Sequence, residues 1–304
     1  MIHKIASKIG MKKLRDVYRP DHLAVSIELF PPKTASGEHS LYEHVGKLVE
    51  YHPDFVTCTY GAGGSTRDKT LEIVRQIKLR FGIPVASHLT VVGSTVDQLR
   101  DYLRRAQAGG IDFVVALRGD PPQGQSSFVA TAGGLRHANE LVELIGREFP
   151  GFGIAVAGYP EKHSEAVSFD SDLLHLKNKV DAGADVVLTQ LFFDNRDFFQ
   201  FRDRCAAQGI GVPIVPGILP VTNLKQIQRI ASLCGSKIPG KFINDLNRSD
   251  LPQWQMQVGI EFALNQVHEL IQQGVLGLHF YVLNQSQAML AILEGLQIRS
   301  SRTA

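Results

Sequence analysis

The chain alternates between short apolar runs and longer segments in which apolar residues recur at helical spacing. Eight apolar runs rich in β-branched residues predict strands over 23–30, 54–60, 83–90, 112–119, 152–158, 185–193, 213–219 and 276–283. The runs are continuously apolar rather than strictly alternating, which is typical of strands covered by helices. Between them, the spacing of apolar residues predicts helices over 66–81, 95–107, 171–182, 196–208, 223–234, 255–273 and 285–297.

Most of the predicted strands begin about 30 residues apart, the length of one strand–helix unit. The last interval is longer and is expected to hold one helix, a polar connection with Pro239 and Pro252, and a second helix. Eight units favour a (β/α)8 barrel, the TIM barrel of the α/β class, over a doubly wound open sheet. No linker divides the chain, so residues 1–304 are expected to form a single domain, with the basic N-terminal segment as a mobile arm or a short packed helix.

Composition and charge exclude several classes of protein. Hydrophobic residues are 44% and charged residues 20% of the 304, which is ordinary for a globular protein. A net charge of +2 does not favour nucleic acid or an anionic membrane as a partner. The three cysteines make no CxxC pair and are expected to be reduced thiols in a cytoplasmic protein, and no His/Asp/Glu trio has metal-ligand spacing, so no metal is expected.

Polar and ionisable residues gather where the predicted strands end, which is where the active site of a (β/α)8 barrel lies. They are Glu28, Thr59, Tyr60, His88, Thr90, Arg118, Asp120, the segment 158–163, Gln190, Tyr281, Asn284 and Gln285. Burying a charge or an imidazole is costly unless it is paired, so folding alone does not explain Glu28 and His88 within apolar runs. Each residue alone is equally consistent with a satisfied core polar group, but the set predicts an active site.

Glu28 lies between Ile27 and Leu29 in the first predicted strand. Desolvation there is expected to raise the pKa of its carboxyl, which suits a general acid near neutral pH. The alternative is a carboxylate neutralised by Arg118 or Lys33.

Two further segments suggest an anionic ligand. Residues 60–66, YGAGGST, follow a strand and open a helix, so the backbone can approach a phosphate closely, although a plain turn capped by Ser65 or Thr66 explains them almost as well. They are not the dinucleotide fingerprint, because Thr66 stands where GxGxxG needs glycine. Arg118 beside Asp120 offers a cation for phosphate and a carboxylate for a ring nitrogen, or else forms a local ion pair.

Eight segments together resemble methylenetetrahydrofolate reductase over residues 23 to 297. They are IELFPPKT (27–34), TYGAGGSTRDKT (59–70), SHLT (87–90), LRGDPP (117–122), GYPEKHSEA (158–166), KVDAGADVVLTQLFFD (179–194), VPGILPV (215–221) and HFYVLNQ (279–285). The resemblance implies a (β/α)8 barrel that holds FAD. It also implies reduction of 5,10-methylenetetrahydrofolate to 5-methyltetrahydrofolate by NADH or NADPH, in a ping-pong cycle through the flavin.

The resemblance also implies roles for individual residues. Glu28 matches the family's general acid, and Asp120 would tune the flavin and bind folate. Folate contacts would be Gln190, Gln226 and Gln285, and Gln190 would also contact the nicotinamide. The cofactor positions would be Thr59, for the nicotinamide nucleotide, and, for FAD, Tyr60, Ala62, His88, Arg118, Gly119, Asp120, Ala132, Tyr159, His163, Ala166, Asp172 and Lys179.

One departure from the family leaves alternatives open. Gln285 stands where the family usually has arginine, which suits a folate-dependent methyl-transfer or demethylation enzyme without tightly bound FAD, or a catalytically altered flavin-binding relative. The matches at 59–70 and 117–122 argue against the first alternative, and intact Glu28 and Asp120 argue against the second. The expected partners are folate and a nicotinamide nucleotide. Members of the family commonly self-associate, so a homo-oligomer is compatible with the resemblance, but the sequence does not determine the oligomeric state.

Overall fold

The computed structural model describes residues 13–59, 66–121, 124 and 128–298. Eight parallel strands close into a barrel in chain order: β1 Ala24–Leu29, β2 Phe55–Cys58, β3 Val85–Thr90, β4 Phe113–Leu117, β5 Gly153–Gly158, β6 Val186–Leu191, β7 Ile214–Ile218 and β8 Gly277–Tyr281. Since β1 pairs with both β2 and β8, the sheet has no edge. The predicted (β/α)8 barrel is therefore confirmed, and the open-sheet alternative is wrong.

Helices follow the strands around the outside of the barrel. They are α1 Ala35–Leu48, α2 Arg67–Phe81, α3 Val96–Ala108, α4 Ala138–Glu148, α5 Phe169–Asp181, α6 Asn195–Ala207, α7 Leu224–Cys234, α8 Gly240–Leu246, α9 Pro252–Gln272 and α10 Gln287–Gly295. The seven predicted helices are confirmed to within a few residues. The helical spacing did not single out α1, α4 or the short α8, which fills part of the long connection before β8.

The helix α3 shows how the sequence specifies these elements. Thr95 and Gln98 form a capping box, in which the Thr95 hydroxyl accepts from Gln98 N–H and the Gln98 side chain accepts from Thr95 N–H. Leu99, Tyr102 and Leu103 lie on the face turned to the barrel and are fully buried, as their spacing predicted.

The N-terminal segment closes the amino end of the barrel. Residues 14–17 form a single 3-10 turn, and Leu14 and Tyr18 are buried in the cluster that fills the barrel interior. Gly153 and Gly277 make room for them, because a Cβ on either glycine would lie 2.7 Å from Leu14 or Tyr18 respectively. The expectation of a short packed helix is confirmed for these residues, and residues 1–12 lie outside the part that the structure describes.

Three aspartates repeat one device at the amino end of the barrel. Asp54, Asp112 and Asp185 each precede an even-numbered strand and accept a hydrogen bond from a backbone N–H at or near the start of the preceding strand, at 2.8, 2.9 and 2.9 Å. The donors are Val25, Val85 and Ile154. Each carboxylate thereby joins neighbouring strands and satisfies a backbone donor that would otherwise be buried without a partner.

Two sequence expectations concern the chain as a whole. Within the described ranges, every helix is too short or too polar to span a membrane. Cys58, Cys205 and Cys234 are free thiols, the first two of them buried.

Candidate active site

The interior of the barrel changes from apolar to polar along the strands. Because side chains alternate along a strand, every second residue points into the barrel. Near the amino ends this interior is filled by Phe55, Phe113, Val186 and their neighbours. Toward the carboxyl ends the buried residues are Ser26, Glu28, Thr57, His88 and His279. Within the barrel interior, the buried polar groups thus lie toward the carboxyl ends of the strands.

Glu28 lies near the end of β1 and is 7% exposed. Its Oε2 is 3.1 Å from His279 Nε2 and 3.2 Å from His88 Nε2. Its Oε1 makes no hydrogen bond to any residue that the structure describes. One carboxylate oxygen is therefore hydrogen-bonded to His279 with His88 beside it, and the other has no partner among the described residues.

The expected pKa of Glu28 is wrong in direction. Burial raises the pKa of this carboxyl, but the electrostatic and hydrogen-bonding contacts with His88 and His279 outweigh burial and lower it to about 2. The alternative that Arg118 or Lys33 neutralises the Glu28 carboxylate is also wrong. Lys33 is exposed, and Arg118 pairs with Glu165.

Arg118 follows β4, and its guanidinium makes a two-point ion pair with Glu165, at 2.7 and 2.8 Å. This pair raises the pKa of Arg118 and lowers that of Glu165. Asp120 is exposed at the same rim. The local ion pair considered for Arg118 and Asp120 does not form.

Several predicted cofactor positions come together beyond β5. The rings of Tyr159 and His163 meet edge to face at 4.6 Å, and Asp172 accepts from the His163 backbone N–H at 2.9 Å. Lys179 donates to the Ala157 carbonyl at 2.6 Å. Removal of water around its ammonium lowers the pKa of Lys179 to about 8, although Asp172 opposes the shift. The group combines aromatic surface with a buried ammonium.

At other predicted cofactor positions, a ligand would meet the backbone rather than a polar side chain. Gly119 has φ +87°, and a Cβ there would lie 2.6 Å from Val92, so glycine is required at this turn. Ala132 is exposed in the loop before α4, and Ala166 is half-buried in the loop before α5. Thr59 follows β2, and its backbone N–H donates to the Leu29 carbonyl at 3.0 Å.

The predicted folate positions fall into two places. Gln190 is half-buried on β6, where its side-chain oxygen accepts from Leu191 N–H at 2.9 Å. Gln226 and Gln285 are exposed and line one open cavity between the loops after β7 and β8, which Tyr281 also lines. The structure thus places Gln226 and Gln285 in one cavity, and Gln190 is not among the residues that line it.

Two predicted positions, Tyr60 and Ala62, lie outside the described residues, as does most of the YGAGGST segment. In the parts that the structure does describe, no three His, Cys, Asp or Glu side chains are grouped as a metal site would need.

Of the two histidines that contact Glu28, His279 is the one that the sequence did not reveal. It is fully buried on β8, opposite Ser26 in the register of β1, and its Nδ1 lies 2.8 Å from Ser26 Oγ. The signal was present, because strand alternation puts His279 on the same face as Tyr281, a residue that was recognised. Its contact with Glu28 spans 251 positions and could not be inferred from spacing.

Comparisons with known proteins show the family to which the chain belongs. The family model of methylenetetrahydrofolate reductase matches residues 13–297. The chain is 41% identical over 278 residues to the 5,10-methylenetetrahydrofolate reductase of Pectobacterium carotovorum, covering 90% of both chains. This chain belongs to the methylenetetrahydrofolate reductase family. Membership places it among the oxidoreductases of folate one-carbon metabolism.

Other relatives differ in length or in sequence. The chain is 40% identical over 295 residues to methylenetetrahydrofolate reductase (NADH) 1 of Arabidopsis thaliana, covering 93% of this chain and 50% of that relative. It therefore spans half the length of the plant protein. A solved Clostridium thermocellum protein, described as binding two copies of 5-methyl-5,6,7,8-tetrahydrofolic acid, superposes with a TM-score of 0.63 at 15% identity, over 90% of this chain and 94% of that one. That likeness concerns the fold alone.

Proposed function

We propose that this protein reduces 5,10-methylenetetrahydrofolate to 5-methyltetrahydrofolate with electrons from NADH or NADPH, through bound FAD. The observation that supports the proposal most strongly is the position of Glu28. It is a buried carboxyl with one oxygen that has no partner among the described residues, at the carboxyl end of the strands in a barrel of the methylenetetrahydrofolate reductase family.

The residues present fit a flavin nucleotide. His88 Nδ1 and Thr57 Oγ1 are buried and have no hydrogen-bond partner among the described residues, so a ligand with polar groups can satisfy them. Lys179 and Arg118 supply cations for a pyrophosphate, and the Gly119 turn lets the backbone approach closely. When bound, FAD supplies the hydride transfer, and the protein supplies position and electrostatics.

The role of Glu28 is to deliver a proton to the bridging nitrogen of the folate. The O–H bond of the carboxyl breaks, an N–H bond forms, and the carbon–nitrogen bond of the methylene bridge opens to an iminium. In the free protein, the lowered pKa favours the carboxylate. A substrate that covers Oε1 removes the remaining water, which raises the pKa and favours the protonated acid in the complex.

The other positions bind and orient the substrate. Asp120, exposed at the rim, would accept from the amino group or ring nitrogens of a pterin. Gln190 offers an amide to the same ring, or to the nicotinamide carboxamide in the other half-reaction. Gln226 and Gln285 line a cavity with no charged side chain among its lining residues, so they would bind the far part of folate by neutral hydrogen bonds.

The direct test uses purified protein under anaerobic conditions. We expect a yellow protein whose flavin absorbance bleaches with NADH or NADPH and returns on addition of methylenetetrahydrofolate. A colourless protein that FAD cannot reconstitute would favour a methyl-transfer or demethylation enzyme. A yellow protein that bleaches but never reoxidises with methylenetetrahydrofolate would favour an altered flavin-binding relative.

A further inference from the structure

A continuous row of buried polar side chains lies along the paired strands β8 and β1. Ser26 and His279 stand opposite each other in the parallel register, and Glu28 follows two residues later on the same face. Ser26 Oγ is 2.8 Å from His279 Nδ1, and His279 Nε2 is 3.1 Å from Glu28 Oε2. Both ring nitrogens of His279 therefore have partners, and the ring links a hydroxyl to the carboxyl.

The imidazole of His279 is held rigidly. It is fully buried and stacks on Phe55, with ring centroids 6.5 Å apart and planes inclined by 22°. Tyr281 meets it edge to face at 5.2 Å. A ring packed in this way cannot turn to exchange its two nitrogens without disturbing the core. The packing therefore fixes which partner each ring nitrogen faces.

The hydroxyl of Ser26 has one hydrogen and two acceptors within reach. His279 Nδ1 is 2.8 Å away, and the Leu278 carbonyl is 3.3 Å away. A carboxylate can only accept, so the contact of His279 Nε2 with Glu28 needs a proton on Nε2, and in the neutral imidazole Nδ1 is then the acceptor for the Ser26 hydroxyl. A neutral imidazole that accepts at Nδ1 carries its proton at Nε2, where it faces the carboxylate.

We propose that His279 is the positioning residue of Glu28. Ser26 fixes its Nε2–H tautomer, Nε2–H donates to Oε2, and Oε1 is left as the oxygen that carries and delivers the proton. The proposal rests on the proposed function, because it concerns the acid of that reaction. When the O–H bond at Oε1 breaks, its electron pair stays on the carboxylate, which the Nε2–H bond already stabilises. Solvent supplies the proton for the next turnover.

Few of the side chains around this row of polar groups can carry a charge. Tyr281 on β8 lies on the same face as His279, and burial raises the pKa of its hydroxyl, so it stays neutral. Cys58 on β2 belongs instead to the core cluster that includes Leu71 and Val74 of α2, and burial raises the pKa of its thiol, so it stays neutral too. Among the described residues, His88 on β3 is the other imidazole that contacts Glu28. The Nδ1 of His88 has no hydrogen-bond partner among the described residues, so no hydroxyl fixes its tautomer as Ser26 does for His279. His279 is therefore the imidazole with an assigned orientation.

The first test reads the tautomer directly and needs no catalysis. Nitrogen-15 NMR of histidine-labelled protein, above the pH range in which imidazole titrates, distinguishes protonated from bare ring nitrogens, and His279→Leu identifies the signals of His279. We expect a protonated Nε2 and a bare Nδ1 in the wild type, and loss of this fixed pattern in Ser26→Ala. A ring protonated at Nδ1, alone or as imidazolium, would overturn the assignment.

The second test separates the two half-reactions by stopped flow. In Ser26→Ala and His279→Leu, we expect reduction of the flavin by NADH or NADPH to stay within twofold of the wild type. We expect its reoxidation by methylenetetrahydrofolate to slow at least tenfold. Ser26→Thr keeps the hydroxyl and should restore most of the rate. The matched control is His22→Gln, which removes a histidine–carboxylate contact of 2.8 Å to Asp54 at the opposite end of the barrel.

The outcomes distinguish the two proposals. If wild-type flavin is not reoxidised by methylenetetrahydrofolate, the proposed function fails, and the NMR result still decides the tautomer of His279. The positioning role fails if methylenetetrahydrofolate reoxidises the wild type and also reoxidises Ser26→Ala and His279→Leu at rates within twofold of the wild-type rate. If His279→Leu does not fold, Ser26→Ala and Ser26→Thr carry the same comparison.

Discussion

Asn284 and Phe30 hydrogen-bond to each other twice. The Asn284 side-chain oxygen accepts from Phe30 N–H at 2.9 Å, and its amide donates to the Phe30 carbonyl at 2.7 Å. Asn284 has φ +59° and Leu283 has φ +48°, so the backbone of the loop after β8 is in the left-handed region where it bonds to Phe30. The pair joins this loop to the one after β1, beside Glu28.

Loss of this pair should lower stability. We expect Asn284→Ala to reduce the free energy of unfolding by about 1–2 kcal/mol, because it removes two partly exposed hydrogen bonds and puts alanine in a left-handed conformation. Asn284→Gly removes the bonds without the strain and should lose less. Urea denaturation measures both. Asn247→Ala, at an exposed helix end with negative φ, is the control, and an equal loss there would contradict the account.

Gly217 on β7 lets Tyr281 reach across the barrel mouth. Tyr281 donates to the Thr189 carbonyl at 2.7 Å, and a Cβ on Gly217 would lie 2.2 Å from that oxygen and 2.8 Å from the Tyr281 ring. We expect Gly217→Ala to cost about 1–3 kcal/mol of stability by overpacking, and to weaken ligand binding in the cavity that Tyr281 lines. Gly211→Ala meets nothing within 4 Å and is the control. Similar melting of both variants would contradict this explanation.

Lys179 should make stability depend on pH in the alkaline range. Its pKa is lowered from 10.5 to about 8 in the folded protein, so burying the charged form penalises folding below about pH 8. Between about pH 8 and pH 10.5, the folded protein loses this proton first and the penalty fades. We expect the unfolding free energy of wild type, relative to Lys179→Met, to rise with pH in this window. Lys177→Met, which loses only a pair with Asp181 on the helix surface, should show no such trend.

Asp185 should matter far more than a surface aspartate nearby. It is 4% exposed and accepts from Ile154 N–H at 2.9 Å, and its pair with Arg15 fastens the N-terminal turn. We expect Asp185→Ala to cost about 1–3 kcal/mol, because a buried backbone donor loses its partner. Asp181→Ala removes an exposed i,i+4 pair and should cost at most about 0.5 kcal/mol. Chemical denaturation of the two variants compares them, and equal costs would contradict the role of Asp185.

The strands were predictable because each is a short apolar run that packs against helices. Glu28 and His88 stood out in those runs for the same reason, since a polar group inside one needs an explanation. By contrast, α1 contains few apolar residues, of which Leu41, Tyr42, Val45 and Leu48 are buried. Too little of its surface is apolar for the helical period to be evident.

The electrostatics of the site could not be predicted from single positions. The pKa of Glu28 depends on which groups meet it across the barrel, and His279 and His88 lie on strands distant in sequence. Desolvation was foreseen from the apolar run, but the two imidazoles that outweigh it were not. The Asp185 contact was missed likewise, because its donor lies on the previous strand.

The most direct measurement is stopped-flow analysis of both half-reactions in Glu28→Gln, with FAD bound under anaerobic conditions. The account predicts that the variant keeps FAD and is reduced by NADH or NADPH at nearly the wild-type rate. It also predicts that methylenetetrahydrofolate no longer reoxidises the flavin, with a loss of at least about 100-fold, as expected when a general acid is removed. Reoxidation of the variant at the wild-type rate would contradict the central role of Glu28.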